Sequence, residues 1–163
     1  MKLWGIAGWK NSGKTGLMER LVAEFTARGL RVSTIKHAHH SFDVDHPGKD
    51  SYRHRAAGAA QVMLSSANRW ALMTELQGAP EPDLDELLAQ MATVDLVLVE
   101  GFKRAGHPKI EAHRAATGQG LLAPGDATIR AIASDSAPMT DRPVLHLDDT
   151  GGIADFIAAE LGL

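Results

Sequence analysis

Short apolar runs alternating with segments of helical period outline this 163-residue chain. Leu3, Trp4, Ile6 and Ala7 form a run of the length expected of a buried parallel strand. Leu17, Leu21, Val22 and Phe25 then recur at helical spacing up to Arg28-Gly29, a basic last turn with a glycine stop. Residues 30–36 alternate and are rich in β-branched side chains, which predicts a second strand. A short helix is expected from Asp50 to Gly58, with Tyr52, Ala56 and Ala57 inward and Arg53 and Arg55 outward. Two strands, Gln61 to Ser65 and Arg69 to Thr74, flank a tight turn at Ala67-Asn68, so they should pair antiparallel. Residues 83–91 predict a helix with acidic residues in its first turn. Residues 95–101 are the most hydrophobic strand and so the expected centre of a sheet. Strands over 108–113, 129–133 and 144–147 follow, and Ile153, Phe156, Ile157 and Leu161 mark a closing helix.

Between the first strand and the first helix lies Gly8-Trp9-Lys10-Asn11-Ser12-Gly13-Lys14-Thr15, which fits G-x-x-x-x-G-K-[ST] without a mismatch. Glycines let the backbone curl so that successive N–H groups face phosphate oxygens, and the helix N-terminus behind them adds about half a positive charge. Lys14 would reach the β- and γ-phosphates, and the Thr15 hydroxyl would ligate their magnesium. Strand, glycine loop and helix in that order favour a nucleotide phosphate site over a chance turn. Lys10 either points inward, adding charge for phosphate, or is a solvated loop lysine. Gly16 stands where many such proteins have a second Ser or Thr, and it is a poor helix former by about 1 kcal/mol against alanine.

The pattern therefore predicts the α/β, three-layer P-loop NTPase fold, a mostly parallel sheet covered on both faces, with an antiparallel hairpin insertion. No linker or repeat interrupts residues 1–163, so a single nucleotide-binding domain is expected. The hairpin is apolar on both faces (Val62, Met63, Leu64; Trp70, Ala71, Leu72, Met73) and needs a cover, either its own helices or a second subunit. A homodimer is the expectation.

Seventeen basic against twenty acidic side chains leave a net charge of −3, which argues against a nucleic-acid partner. Without cysteine there can be no disulfide, thiolate zinc site or thiol catalysis. No run approaches the roughly twenty apolar residues of a membrane span, and the N-terminal run is too short for a signal peptide. A soluble, cytoplasmic protein is expected.

Glu100 ends the central strand, where P-loop proteins place the acid that holds magnesium. Asp95, at the other end, reads as a solvated strand start. Five of the eight histidines fall at His37, His39, His40, His46 and His54, near Asp43 and Asp45. Their spacing matches no common zinc pattern, so contact with the substrate or with magnesium-bound water is favoured over a dedicated transition-metal site. Asp135, after the strand at 129–133, could accept from guanine N1–H and the 2-amino group, donors that adenine lacks. The usual Asn-Lys-x-Asp element is missing.

Taken together, His37-Ala38-His39-His40, Asp43-Val44-Asp45, residues 47–52, residues 69–75 and residues 98–103 resemble molybdopterin-guanine dinucleotide biosynthesis protein B, MobB. The likeness runs from the phosphate loop to the final helix. It implies a GTP-binding protein that uses Mg2+, hydrolyses GTP weakly, and partners the guanylyltransferase MobA in joining a guanine nucleotide to molybdopterin. Carried over, residues Gly8, Trp9, Lys10, Asn11, Ser12, Gly13, Lys14, Thr15 and Gly16 become the phosphate site. Lys14 and Glu100 become the catalytic pair, Thr15 and Glu100 the magnesium ligands, and Asp135 the candidate for the base. The 37–53 loop, with His37, His39, His40, Asp43, Asp45, Lys49, Asp50 and Arg53, becomes a surface for the anionic pterin or the partner. Two other functions compete: a small-molecule kinase, whose lid arginines could come only from residues 104–114, and a binding module for which hydrolysis is irrelevant.

Overall fold

The computed structural model describes residues 1–38 and 42–163; His39, His40 and Ser41 lie outside the described residues. In chain order the strands are β1 (Lys2–Ala7), β2 (Val32–Lys36), β3 (Gln61–Ser65), β4 (Trp70–Thr74), β5 (Leu96–Glu100), β6 (Lys109–His113), β7 (Ile129–Ser134) and β8 (Val144–His146). The helices are α1 (Lys14–Ala27), α2 (Asp50–Ala56), α3 (Leu84–Ala89) and α4 (Thr150–Leu161). Two compact units result, one of Met1–His37 with Met91–Leu163, the other of Ala38–Gln90.

The first unit is built on one six-stranded sheet in the order β2-β5-β1-β6-β7-β8, every pair parallel. The strand expected at the centre is interior but one place from the edge: β5 lies between β1 and the edge strand β2, with Glu100 opposite Ile6 on one side and Lys36 on the other. Because all six strands point the same way, Ala7, Lys36, Glu100, His113, Ser134 and His146 end at one edge. On one face, Trp4, Ile6, Leu96, Leu98 and Ile110 pack with Leu17, Leu21 and Phe25 of α1 and with Ile153 and Ile157 of α4. The Trp4 and Phe156 rings meet edge to face with centroids 6.2 Å apart. Asp95 does more than start a strand: its Oδ2 accepts the Arg31 amide at 2.8 Å, which pins the entry to β2.

Beyond β6 and β7 the other face is closed by two 3₁₀ turns, Ala115–Thr117 and Ala123–Gly125, where Leu121, Leu122 and Ala123 cover Ile129 and Ile132. Polar groups complete this layer. The Glu111 carboxylate, fully buried, accepts the amides of Leu122 and Ala123 at 2.8 and 2.9 Å. The buried Lys109 ammonium donates to Ala105 O and Thr128 Oγ1, both at 2.6 Å, and so ties the 101–108 connection to the start of β7. Two buried charges thus hold chain segments that a crossover helix would otherwise supply, each satisfied by hydrogen bonds as burial requires.

In the second unit, β3 and β4 pair antiparallel with Val62 opposite Met73 and Leu64 opposite Ala71, the hairpin the turn at 67–68 predicts. Val62 is buried, whereas Met63, Leu64, Trp70 and Leu72 are exposed. Helix α3 opens on a capping box between Asp83 and Glu86. The expected orientation of α2 needs correction: Ala56 and Ala57 are exposed, and the Arg55 side chain turns in until it is only 15% exposed. Its guanidinium gathers three carboxylates, Asp43 at 2.8 Å, Glu75 at 2.9 Å and the buried Asp45. A planar fork with five donors meets several carboxylates at once, an attraction that two alanine methyls cannot match.

His107 sits against Lys109 with both ring nitrogens buried and unpaired among the described residues. Burial, and then the Lys109 charge, pushes the imidazole from its ordinary 6.5 down to about 4. The unfolded chain therefore takes up this proton at higher pH than the folded one, so stability falls as pH drops from about 6.5 toward 4. Urea unfolding near neutrality and at about pH 4.5 should differ by about 2 kcal/mol from this group. In His107→Leu that part of the difference should vanish.

Candidate functional site

At the C-terminal edge of β1 the backbone must reverse into α1 within six residues, and two glycines make that possible. Gly8 has φ 139°, and a Cβ there would overlap the Ala112 carbonyl and lie 2.5 Å from Ser12 Oγ. Gly13, at φ 94°, is the N-cap of α1 and offers no side-chain cap. No acidic residue stands in the first turn of the helix either. The amides of Gly13, Lys14, Thr15 and Gly16 consequently have no acceptor among the described residues. Ser12 N–H alone turns back, to Trp9 O at 3.2 Å, while the buried Ser12 Oγ has no partner among the described residues.

The Lys14 ammonium donates to Trp9 O at 2.6 Å and so spans its own loop. Burial holds its pKa below the ordinary lysine value; Glu100 opposes that shift, and Lys103 and Lys36 add to it. Glu100 is mostly buried, with Lys36 Nζ 3.8 Å from its Oε2. Lys14, Lys36, Lys103 and Glu100 therefore form one electrostatic cluster over the sheet edge, three cations to one anion. Such a cluster behind a row of unpaired amides attracts a multiply charged anion. For a divalent ion, the exposed Thr15 hydroxyl and the Glu100 carboxylate are oxygens of the hard type that magnesium accepts.

Trp9 is fixed twice, by its indole N–H donating to Gly120 O at 2.8 Å and by Lys103 Nζ lying 5.6 Å from its ring centroid. A cleft of about 370 Å³ opens beside it, between residues 9–11 and Arg114, Ala116, Thr117 and Gln119. Lys10 is exposed on its rim.

A sequence profile described as "Molybdopterin guanine dinucleotide synthesis protein B", MobB, matches residues 3–135. The chain belongs to the MobB family. It is 44% identical to the "Molybdopterin-guanine dinucleotide biosynthesis adapter protein" of Escherichia coli, over 95% of this chain and 90% of that one. With the Haemophilus influenzae protein of the same description it shares 45% identity, over 95% and 86% of the two chains. Among solved structures, the crystal structure of Bacillus subtilis MobB superposes with a TM-score of 0.77 at 27% identity, covering 99% of this chain and 98% of that one. The MobB homologue from Bacillus stearothermophilus gives a TM-score of 0.71 at 30% identity, covering 99% of both chains.

Of the residues the MobB resemblance singles out, Gly8 to Gly16 and Glu100 share the sheet edge with His37 and Asp135. Asp135 Oδ1 accepts the Ala115 amide at 2.9 Å, so one of its oxygens already anchors the 3₁₀ turn after β6. His37 follows β2, its N–H donating to Glu100 O at 2.8 Å and its ring lying against Phe102. His39 and His40 lie outside the described residues. In the second unit, Asp43 and Asp45 are committed to Arg55, while Lys49, Asp50 and Arg53 are exposed around the start of α2. Among the described residues no group of three or more His, Asp or Glu is placed to hold a metal ion. Arg114 belongs to no motif, and the sequence offers it only as one end of the 104–114 stretch considered as a kinase lid; its place directly after β6, at the loop-bearing edge, is what sets it beside the glycine loop.

Gly8→Ala should cost about 1–3 kcal/mol of stability, because the residue is held at positive φ against the Ala112 carbonyl. A thermal melt of the variant would read this directly, and an unchanged midpoint would mean that the loop relaxes freely.

Proposed function

We propose that this chain is a GTP-binding accessory protein that assists the conversion of molybdopterin to its guanine dinucleotide form, hydrolysing GTP slowly. The observation that carries the reading is the cradle itself: four successive helix-start amides and a buried Ser12 hydroxyl that have no partners among the described residues, and Lys14 spanning the loop. In this reading residues 1–163 act as one nucleotide-binding domain that carries the 38–90 segment as an insertion. Gly8 to Gly16 bind the phosphates, and Asp135, through its second oxygen, selects guanine. Magnesium, when bound to Thr15 and Glu100, neutralises phosphate charge. Slow turnover follows from the lack of a glutamine in the loop to orient water.

The partner in this reading is the guanylyltransferase MobA, in the cytoplasm, with the 37–53 loop as the surface for the pterin or for that partner. Family membership and the adapter descriptions of the relatives support the assignment to this step. The chain acts as a homodimer through its hairpin, whose Met63 and Trp70 are 62% and 67% exposed. No helix among the described residues is long and apolar enough to cross a membrane.

Calorimetric titration of GTP–Mg2+ should give micromolar or tighter binding that Lys14→Ala abolishes. Unchanged affinity in that variant would refute the phosphate assignment. In competition, GTP should displace ATP from the wild type, and Asp135→Ala should lose the preference while still binding both. Sedimentation should show a dimer that Trp70→Glu dissociates; a monomer at all concentrations would remove the dimer from the account.

A further inference from the structure

We infer that Arg114 is a second cation of the phosphate site, closing on the nucleotide's phosphates from the end of β6. The inference rests on the nucleotide reading given above and extends it to a residue that no motif marks. Three observations carry it. A Cβ placed on Gly13 would lie 3.0 Å from Arg114 Nε and 3.6 Å from its Nη2, so the guanidinium lies against the N-cap of α1. That is the helix end whose first amides lack acceptors. The Arg114 backbone is fixed, its carbonyl accepting from Thr117 N at 3.0 Å and Thr117 Oγ1 at 2.8 Å. Yet its half-buried side chain has no hydrogen-bond or ion-pair partner among the described residues.

That last point separates Arg114 from Arg20 and Arg55. Arg20 donates to Leu147 O at 2.7 Å and to Thr150 Oγ1 at 2.9 Å, and in the second unit Arg55 holds three carboxylates. A guanidinium carries five donors in a fixed plane, and those of Arg114 face the open cleft with no protein acceptor among the described residues. An oxyanion seated on the α1 amides would lie next to this plane and satisfy both at once. The cleft between Arg114 and residues 9–11 leaves about 370 Å³ open on the solvent side, so a ligand can reach that position. Arg114 therefore contributes to ground-state binding of di- and triphosphates, while Lys14 spans the loop.

The test compares Arg114→Gln, Arg114→Lys, Lys14→Ala and Arg130→Gln, the last a surface arginine paired with Glu160. Each is titrated with GTP–Mg2+, GDP–Mg2+ and guanosine, and its fold is checked by circular dichroism. Arg114→Gln should weaken GTP and GDP about tenfold or more, the loss of one charge-assisted contact. It should also flatten the salt dependence and leave guanosine unchanged. Arg114→Lys should recover part of the loss, since charge is kept and the fork is not. Wild-type affinity in a folded Arg114→Gln, with Lys14→Ala defective, overturns the inference alone. Wild-type affinity in both variants overturns the phosphate reading as well. If Arg114→Gln does not fold, the wild-type Arg114 Nε–H resonance decides: it should shift on adding GTP–Mg2+ and stay still with guanosine, and no shift with GTP overturns the proposal.

Discussion

One salt-free contact governs this molecule: the Lys14 ammonium resting on the carbonyl of Trp9 in its own loop, at 2.6 Å. A cation so placed keeps the loop spread and prevents its amides from folding onto its own carbonyls; only Ser12 N–H does so. The four amides that follow have no acceptor among the described residues, which in a protein interior would be a defect. At the mouth of a parallel sheet it is a charge trap. The helix dipole, Lys36 and Lys103 deepen the trap, and Glu100 limits it so that the three ammonium groups can share one small region.

The sheet explains why these groups meet at all. Six parallel strands deliver six loops to one edge, and the place of β5 between β1 and β2 puts Glu100 between the strand that leads to Lys14 and the strand that ends in Lys36. The hydrophobic face under α1 and α4 makes this edge rigid, since Trp4, Ile6, Leu17, Leu98 and Ile153 are fully buried. On the opposite face, Lys109 and Glu111 hold loops by hydrogen bonds in place of packed helix surface. The same rigidity reaches the cleft, because Trp9 is hydrogen-bonded to Gly120 and Arg114 is fixed by Thr117.

Strand and helix placement was largely legible along the chain because each element declared its own period. The glycine loop between β1 and α1, the antiparallel hairpin and the interior place of β5 followed from glycine spacing, turn length and uninterrupted Leu/Val composition. What escaped is polar and non-local. Arg55 looks like a solvated helix residue until Asp43, Asp45 and Glu75 come together around it, and no periodicity announces that. Nothing in the strand pattern at 108–113 tells that Lys109 and Glu111 are buried, which follows from β6 being flanked by β1 and β7. Arg114 is marked in the sequence only as part of a possible 104–114 lid, because its place is set by Gly13, about a hundred residues away in sequence and close in space.

The most direct measurement is the amide ¹H–¹⁵N spectrum of the protein with and without GTP–Mg2+. Gly13, Lys14, Thr15 and Gly16 should move strongly downfield as their N–H groups acquire phosphate acceptors, with the amides of β5 and β7 little changed. If those four resonances stay where they are at saturating nucleotide, the loop is not a phosphate cradle and the functional account is wrong.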